Sequence, residues 1–174
     1  MRSIVILLPT TILSFGGMLG AQTPAGHDPS THAAHGASSA ATDTAFRAMQ
    51  ERGKLAMGVD QYTSVHRFDA LPDGGRIELQ RDVDDSAGAA RIRAHLREIA
   101  SAFASGDFGT PALVHMKTVP GAAAMRARRS FITYEPQDLP RGGALRIRSA
   151  DPAALLAIHQ FLAFQRAEHR VPAR

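Results

Sequence analysis

The histidines are the side chains of this sequence whose type and placement could do chemistry. The chain has 8 histidines and no cysteine among 174 residues. The absence of cysteine excludes disulfides, thiolate metal sites and cysteine nucleophiles. Neutral imidazole remains, and it serves as a ligand for zinc, copper, nickel or haem iron and as a general base. Five histidines lie outside the N-terminal segment: His66, His95, His115, His159 and His169.

The spacing of these five residues does not by itself predict a metal site, because no two of them form an H-x-x-x-H or H-E-x-x-H pattern. His95 and His159 each border the apolar side of an expected helix, and if the two helices pack as mates their imidazoles approach each other. His66 shares a strand face with Phe68 and points toward the same interior. We therefore predict that His66, His95 and His159 hold a transition-metal ion or a metal-containing cofactor. His115, on a more exposed strand face, is an additional candidate. The alternative for each is a hydrogen-bonded histidine at the edge of the core.

Two stretches of the chain have the same order of strand, turn, strand, acidic cap and helix. Both turns read L-P-x-G-G, at residues 71–75 and 139–143, so they lie 68 positions apart. His95 and His159 fall at matching places in the helices that follow. We predict an α+β fold in which a tandem ββα repeat, with units at about 62–106 and 130–170, forms a mainly antiparallel sheet of four to five strands with two helices on one face.

Further elements are expected outside the two units. A capped helix is predicted over Ala45–Met57, before the first unit. Between the units, alternating side chains predict one more strand at Ala112–Val119, followed by a Pro-Gly turn and a short basic helix through Met125 to Arg129.

The N-terminal part has the organisation of an exported protein. Residues 1–21 have a basic start, a short apolar core and small residues before a cleavage position at Ala21, which is typical of a signal peptide. An uncleaved membrane anchor is the alternative, and no transmembrane segment is expected after cleavage. Residues 22–44 are polar and small, which predicts a disordered linker. His27, His32 and His35 are then ordinary linker residues, and residues 45–170 form a single domain.

Composition leaves three functional hypotheses. The balance of 20 basic and 16 acidic residues gives a net charge of +4, too small to predict nucleic-acid binding. No P-loop, G-x-G-x-x-G fingerprint or G-x-S-x-G elbow is present. We favour an exported, non-enzymatic binding protein for a small ligand or metal. The alternatives are a small histidine-dependent hydrolase or transferase, and an interaction module without a ligand. A homo-oligomer through a sheet edge is compatible with each.

Four stretches resemble a family of small exported bacterial proteins without an assigned activity. They read MGVDQYTSVHRF at 57–68, DGGRIEL at 73–79, IRAHLREI at 92–99 and IHQFLAFQ at 158–165. Members of the family often have a second histidine where this chain has Arg67. Some carry the label aspartate carbamoyltransferase, but the Ser-Thr-Arg-Thr and His-Pro-x-Gln strings of that larger enzyme are absent here. The resemblance thus implies an exported protein and no particular reaction.

Overall fold

A computed structural model describes residues 29–58 and 60–171, with side chains from residue 42 onward except that of Gln61. The predicted signal peptide and His27 lie outside the described residues. The helices and strands are α1 (Pro29–Met57), β1 (Ser64–Leu71), β2 (Gly74–Arg81), α2 (Ser86–Ser105), α3 (Gly109–His115), α4 (Ala122–Ala127), β3 (Ile132–Leu139), β4 (Gly142–Ser149) and α5 (Pro152–Glu168).

Two hairpins make one antiparallel sheet in the order β1-β2-β4-β3, and each hairpin is followed by a helix. The predicted α+β fold with its ββα units is therefore confirmed. The two L-P-x-G-G turns reverse the chain as expected. Gly74 is required where the hairpins join, because its φ is +142° and a Cβ there would lie 2.1 Å from the carbonyl oxygen of Ile147 on β4.

The long helices α2 and α5 begin at aspartate caps and cover the same face of the sheet. Asp85 accepts a hydrogen bond from the Gly88 amide, and Asp151 accepts one from the Ala154 amide. Gly106 ends α2 in the left-handed conformation. The predicted acidic caps are confirmed, and the apolar sides of both helices join a single core with the inner face of the sheet.

Each long helix covers the hairpin of the other unit. Helix α2 packs mainly on β3 and β4, whereas α5 packs mainly on β1 and β2. Leu96 of α2 lies over Gly143, and Leu162 of α5 lies over Gly75, each where a Cβ on the glycine would overlap the leucine. The first hairpin is thus completed by the last helix, which brings residues from both ends of the domain into one place.

Two expectations about secondary structure differ from the structure. The predicted strand at Ala112–Val119 is wrong, because the chain there forms α3 and then a loop. Val114 and His115 are both buried, and burial of adjacent residues fits a helix rather than an alternating strand. Helix α1 begins at Pro29, inside the predicted linker. The many alanines of residues 33–48 favour helix without needing a buried face. The expected helix at 45–57 is its C-terminal part.

In the part of the chain that the structure describes, no helix combines the length and the apolar character needed to cross a membrane.

Candidate functional site

A cavity of about 100 Å³ lies between the end of α1, the first hairpin, the long helices and the α3 segment. Its walls are mostly apolar side chains: Phe68, Leu79, Ile99, Phe103, Val114 and Phe161. The polar side chains that line it are His66, His95, Thr110, His115, Gln165 and His169. Three of the predicted histidines therefore share one cavity, and His169 joins them.

The imidazoles are in contact with one another around His169. Its ring centre lies 5.5 Å from that of His66 and 5.2 Å from that of His115. His66 points inward because it alternates with exposed residues along β1. His115 ends α3, and His169 follows α5 directly. Three separate elements thus supply the cluster.

The tautomer of His66 follows from its neighbour Ser64. The Ser64 hydroxyl donates to the carbonyl oxygen of Asp60 at 2.7 Å, so its only hydrogen is used in that bond. The contact of 3.3 Å between Ser64 Oγ and His66 Nε2 must therefore have the imidazole N–H as its donor. His66 Nδ1 is left as a lone pair, buried and without a hydrogen-bond partner.

His115 is held by contacts between its two ring nitrogens and side chains of α5. Its Nε2 lies 2.9 Å from Oε1 of Gln165, and since a carbonyl oxygen only accepts, the imidazole donates there. Its Nδ1 faces the carboxylate of Glu168 at 3.8 Å, and Glu168 also binds Lys117 at 2.9 Å. His115 thus lines the cavity with its ring, while both of its nitrogens face groups on α5.

Burial keeps the imidazoles of the cavity uncharged at neutral pH. It lowers the pKa of His66 to about 4, with a further contribution from His95. Burial also lowers the pKa of His169 to about 3, assisted by His66 and His115. The pKa values of His95 and His115 are lowered as well, again chiefly by burial, which outweighs the opposing effects of Glu98 on the one and of Gln165 and Glu168 on the other.

His159 does not line the cavity. Its Nε2 contacts the carbonyl oxygens of Leu71 at 2.9 Å and Gly74 at 3.0 Å, so it clamps the turn of the first hairpin. The structure thus brings together His66, His95 and His115 of the predicted set but places His159 elsewhere.

The spatial counterpart of His159 is Arg93, not His95. Arg93 donates to the carbonyl oxygens of Leu139 at 2.6 Å and Gly142 at 2.9 Å, which are the matching positions of the second turn. The matching of His95 with His159 in the sequence is therefore two residues out of register. The capping aspartates give the correct register, because His159 follows its cap by 8 residues, as Arg93 does.

Sequence reasoning did not select His169 and Gln165 for the site. The signal for them was helical spacing, since Phe161, Gln165 and His169 recur every four residues and so lie along one side of α5. His169 is one of the five histidines outside the N-terminal segment, but it lies beyond the apolar side expected for the last helix.

The polar groups of the cavity limit the chemistry that it could support. Among the described residues, no set of three or more histidine, aspartate or glutamate side chains has an arrangement that could hold a metal ion. Ser64 and His66 resemble a nucleophile and its base, but the serine proton goes to Asp60 and the imidazole is the donor. No lining side chain of the described residues is a carboxylate, and the bond from Gln165, which raises the pKa of His115, is outweighed by burial.

Comparison with family models, with curated proteins and with solved structures gives no match to this chain.

Proposed function

We propose that this protein is an exported, non-enzymatic binding protein that holds a small uncharged molecule in the histidine-lined cavity. The observation that carries this proposal is a mostly apolar cavity of about 100 Å³ that the side chains of His66, His95 and His115 help to line. An apolar cavity of about 150 Å³ is known to accept benzene. The size here suits a molecule of about one ring or a short branched chain.

The low pKa values of the buried imidazoles argue against a catalytic role. A general base works best with a pKa near the working pH. The pKa of His66 lies near 4 and that of His169 near 3, so both are poor bases at neutral pH. A histidine-dependent hydrolase or transferase is for this reason the less favoured alternative.

Binding is tested by adding benzene, toluene and phenol to the mature protein and measuring the melting temperature and the NMR spectrum. A ligand that binds only the folded state raises the melting temperature. Val114→Phe should abolish the effect because it fills the cavity. Leu113→Phe is the matched control, since Leu113 lies on the same short helix and is 60 % exposed. No response to any of the three probes would contradict the proposal. If histidine-to-alanine variants then changed only stability, an interaction module would be the remaining function.

A transition metal is the second candidate, and the contacts among His66, His115 and His169 favour it. Neutral imidazoles bind zinc, copper and nickel without losing a proton. His115 would have to turn its Nδ1 from Glu168 toward the cavity. Metal analysis of the purified mature protein, repeated after incubation with each ion, tests this candidate. Stoichiometric metal that is lost in His66→Ala and kept in His159→Ala would support it. Protein that resists loading would exclude it.

Export is proposed from the pattern of residues 1–21. The measurement is the mass of the protein recovered from the periplasm or medium of a bacterium expressing the full chain. The expected mature protein begins at Gln22. A chain that keeps Met1 and sediments with membranes would indicate the uncleaved anchor instead.

A further inference from the structure

We propose that a second cavity of this protein binds a small carboxylic acid with an apolar body, whose carboxylate is held by the guanidinium of Arg52. The inference goes beyond the proposed function, because it concerns another cavity and a charged ligand. The second cavity has a volume of about 440 Å³ and lies between α1 and the C-terminal ends of α3 and α5. Small-molecule sites usually have volumes of roughly 300–1,000 Å³, so this cavity is large enough for such a ligand.

One side of α1 and the two helix ends supply the walls of the second cavity. The lining residues of α1, from Thr42 to Arg52, recur at helical spacing and so share one side of the helix. Phe46 and Met49 on this side, with Met116 after α3 and several alanines, form the apolar part of the wall. This part suits a hydrocarbon chain or ring. The polar lining side chains are Thr42, Arg52, His115, Lys117, Glu168 and Arg170.

The cations of this lining are paired with carboxylates, with one exception. Lys117 binds both oxygens of Glu168 at 2.9 Å, and Arg170 binds Asp43 at 3.0 Å. Arg52 has no carboxylate partner among the described residues. The second cavity therefore carries one positive charge that no side chain of its wall compensates.

Arg52 is held in a way that leaves one edge of its guanidinium for a ligand. Its Nε donates to the carbonyl oxygen of Val114 at 2.8 Å, which fixes the plane of the group. Nη1 and Nη2 have no hydrogen-bond partner in the described part of the chain, and neither is enclosed by protein atoms. Two adjacent guanidinium N–H groups match the two oxygens of one carboxylate. Burial lowers the pKa of the neighbouring His115, so this imidazole is neutral and does not offset or add to the charge of Arg52.

The charges favour a ligand with a single negative charge. A phosphate or a dicarboxylate would bring a second negative charge toward Glu168, while Lys117 and Arg170 are already paired. A neutral molecule would leave Arg52 uncompensated. A monocarboxylate on an apolar body meets both the charge of Arg52 and the apolar part of the wall.

The experiment compares 3-phenylpropionate with its neutral primary amide, which has the same carbon skeleton, by NMR titration of the mature protein. Arg52→Gln removes the charge and keeps a polar side chain. Arg47→Gln is the matched control, because Arg47 is exposed on the same helix and lines neither cavity. Ala48→Trp fills the second cavity from an exposed position of α1, and Leu55→Trp is its control, since Leu55 is 85 % exposed on that helix.

We expect wild-type protein to bind the acid about tenfold or more tightly than the amide. Arg52→Gln should weaken binding of the acid about tenfold or more and change binding of the amide by less than about threefold. Arg47→Gln should change neither by more than about threefold. Ala48→Trp should abolish binding of both molecules, and Leu55→Trp should not.

Equal affinities of wild type for the acid and the amide, or no binding of the acid, would overturn the inference. So would a loss of affinity in Arg52→Gln that is no larger than in Arg47→Gln. If Arg52→Gln lacks a wild-type-like spectrum, Ala48→Trp decides, because acid binding that survives it would mean that the second cavity is not the site. Ala48 does not line the histidine-lined cavity, so toluene binding there should persist in Ala48→Trp, and failure of this inference would leave the proposed function standing.

Discussion

The two ends of the core have the same arrangement of strands and helices but different side chains at matching positions. In the first hairpin, His66 is the third residue of β1 and contacts His169, with ring centres 5.5 Å apart. In the second hairpin, Tyr134 is the third residue of β3 and contacts Phe103, with ring centres 5.8 Å apart. Phe103 and His169 each lie 18 residues after a capping aspartate.

The aromatic end is packed ring against ring, and two of its rings, Phe103 and Phe161, border the cavity from the side opposite the histidines. Phe108 stacks on Phe103 at 4.4 Å, and Phe161 packs against the edges of both rings. The histidine end has imidazoles in the corresponding places. The same arrangement of strands and helices therefore carries phenyl rings stacked on one another at one end and a group of buried neutral imidazoles at the other.

The largest expected effect is a difference in the free energy of unfolding between substitutions at the two ends. Phe103→Ala removes a ring that is 1 % exposed and should lower the free energy of unfolding by about 3–5 kcal/mol. His169→Ala should cost roughly 1–2 kcal/mol, because its imidazole is smaller and only partly buried and so leaves a smaller new void. Urea unfolding of both variants measures this difference. Equal losses would break the contrast between the phenyl-packed end and the histidine end.

Acid should destabilise the protein through the histidine end. The unfolded chain takes a proton on His66 near pH 6.5, but the folded chain does so only near pH 4. Since the unfolded state binds more protons between these values, the free energy of unfolding falls as the pH is lowered from about 6.5 to about 4, by roughly 3 kcal/mol. Urea unfolding at several pH values measures the loss. His66→Gln should reduce it, and an unchanged pH dependence in that variant would contradict a buried neutral His66.

The turn clamps should have smaller and matched effects. His159→Ala frees the carbonyl oxygens of the first turn, and Arg93→Ala frees those of the second. Each should cost about 1–2 kcal/mol. Amide hydrogen exchange should rise in the turn that lost its clamp and not in the other. Exchange that rises in both turns after either substitution would show that the clamps are not local.

The smallest expected effect concerns Tyr134. Its hydroxyl is buried without a hydrogen-bond partner, and burial raises the pKa of this hydroxyl well above its usual range. Tyr134→Phe removes the unpaired group and keeps the ring, so stability should change by less than about 1 kcal/mol, in the stabilising direction. Thermal unfolding of the variant beside wild type measures it. A clear loss would mean that the hydroxyl contributes to packing of the aromatic end.

The hairpins and the ends of the long helices were predictable because their causes are local. The L-P-x-G-G turns, the caps Asp85 and Asp151, and Gly106 act within a few residues of chain. The α3 segment was mistaken for a strand because Val114 is β-branched and the burial of His115 depends on α5, which follows it by dozens of residues.

The candidate site could be predicted only in part, because some of its side chains come from an element that is distant in the sequence. The sequence identified His66, His95 and His115 but could not tell that α5 crosses to the first hairpin, which brings His169 and Gln165 beside them. His159 was chosen because it matched His95 in the sequence. The capping aspartates place it two residues out of register with His95, at a turn that it binds through backbone carbonyls.

The most direct test of the binding account is a nitrogen-15 NMR spectrum of the imidazoles, recorded on the mature protein at neutral pH with and without phenol. The account predicts that His66 carries its proton on Nε2, that its Nδ1 resonates as an unprotonated nitrogen, and that phenol shifts the resonances of the imidazoles that line the cavity while leaving His159 unchanged. A proton on Nδ1 of His66, or a spectrum that phenol does not alter, would contradict it.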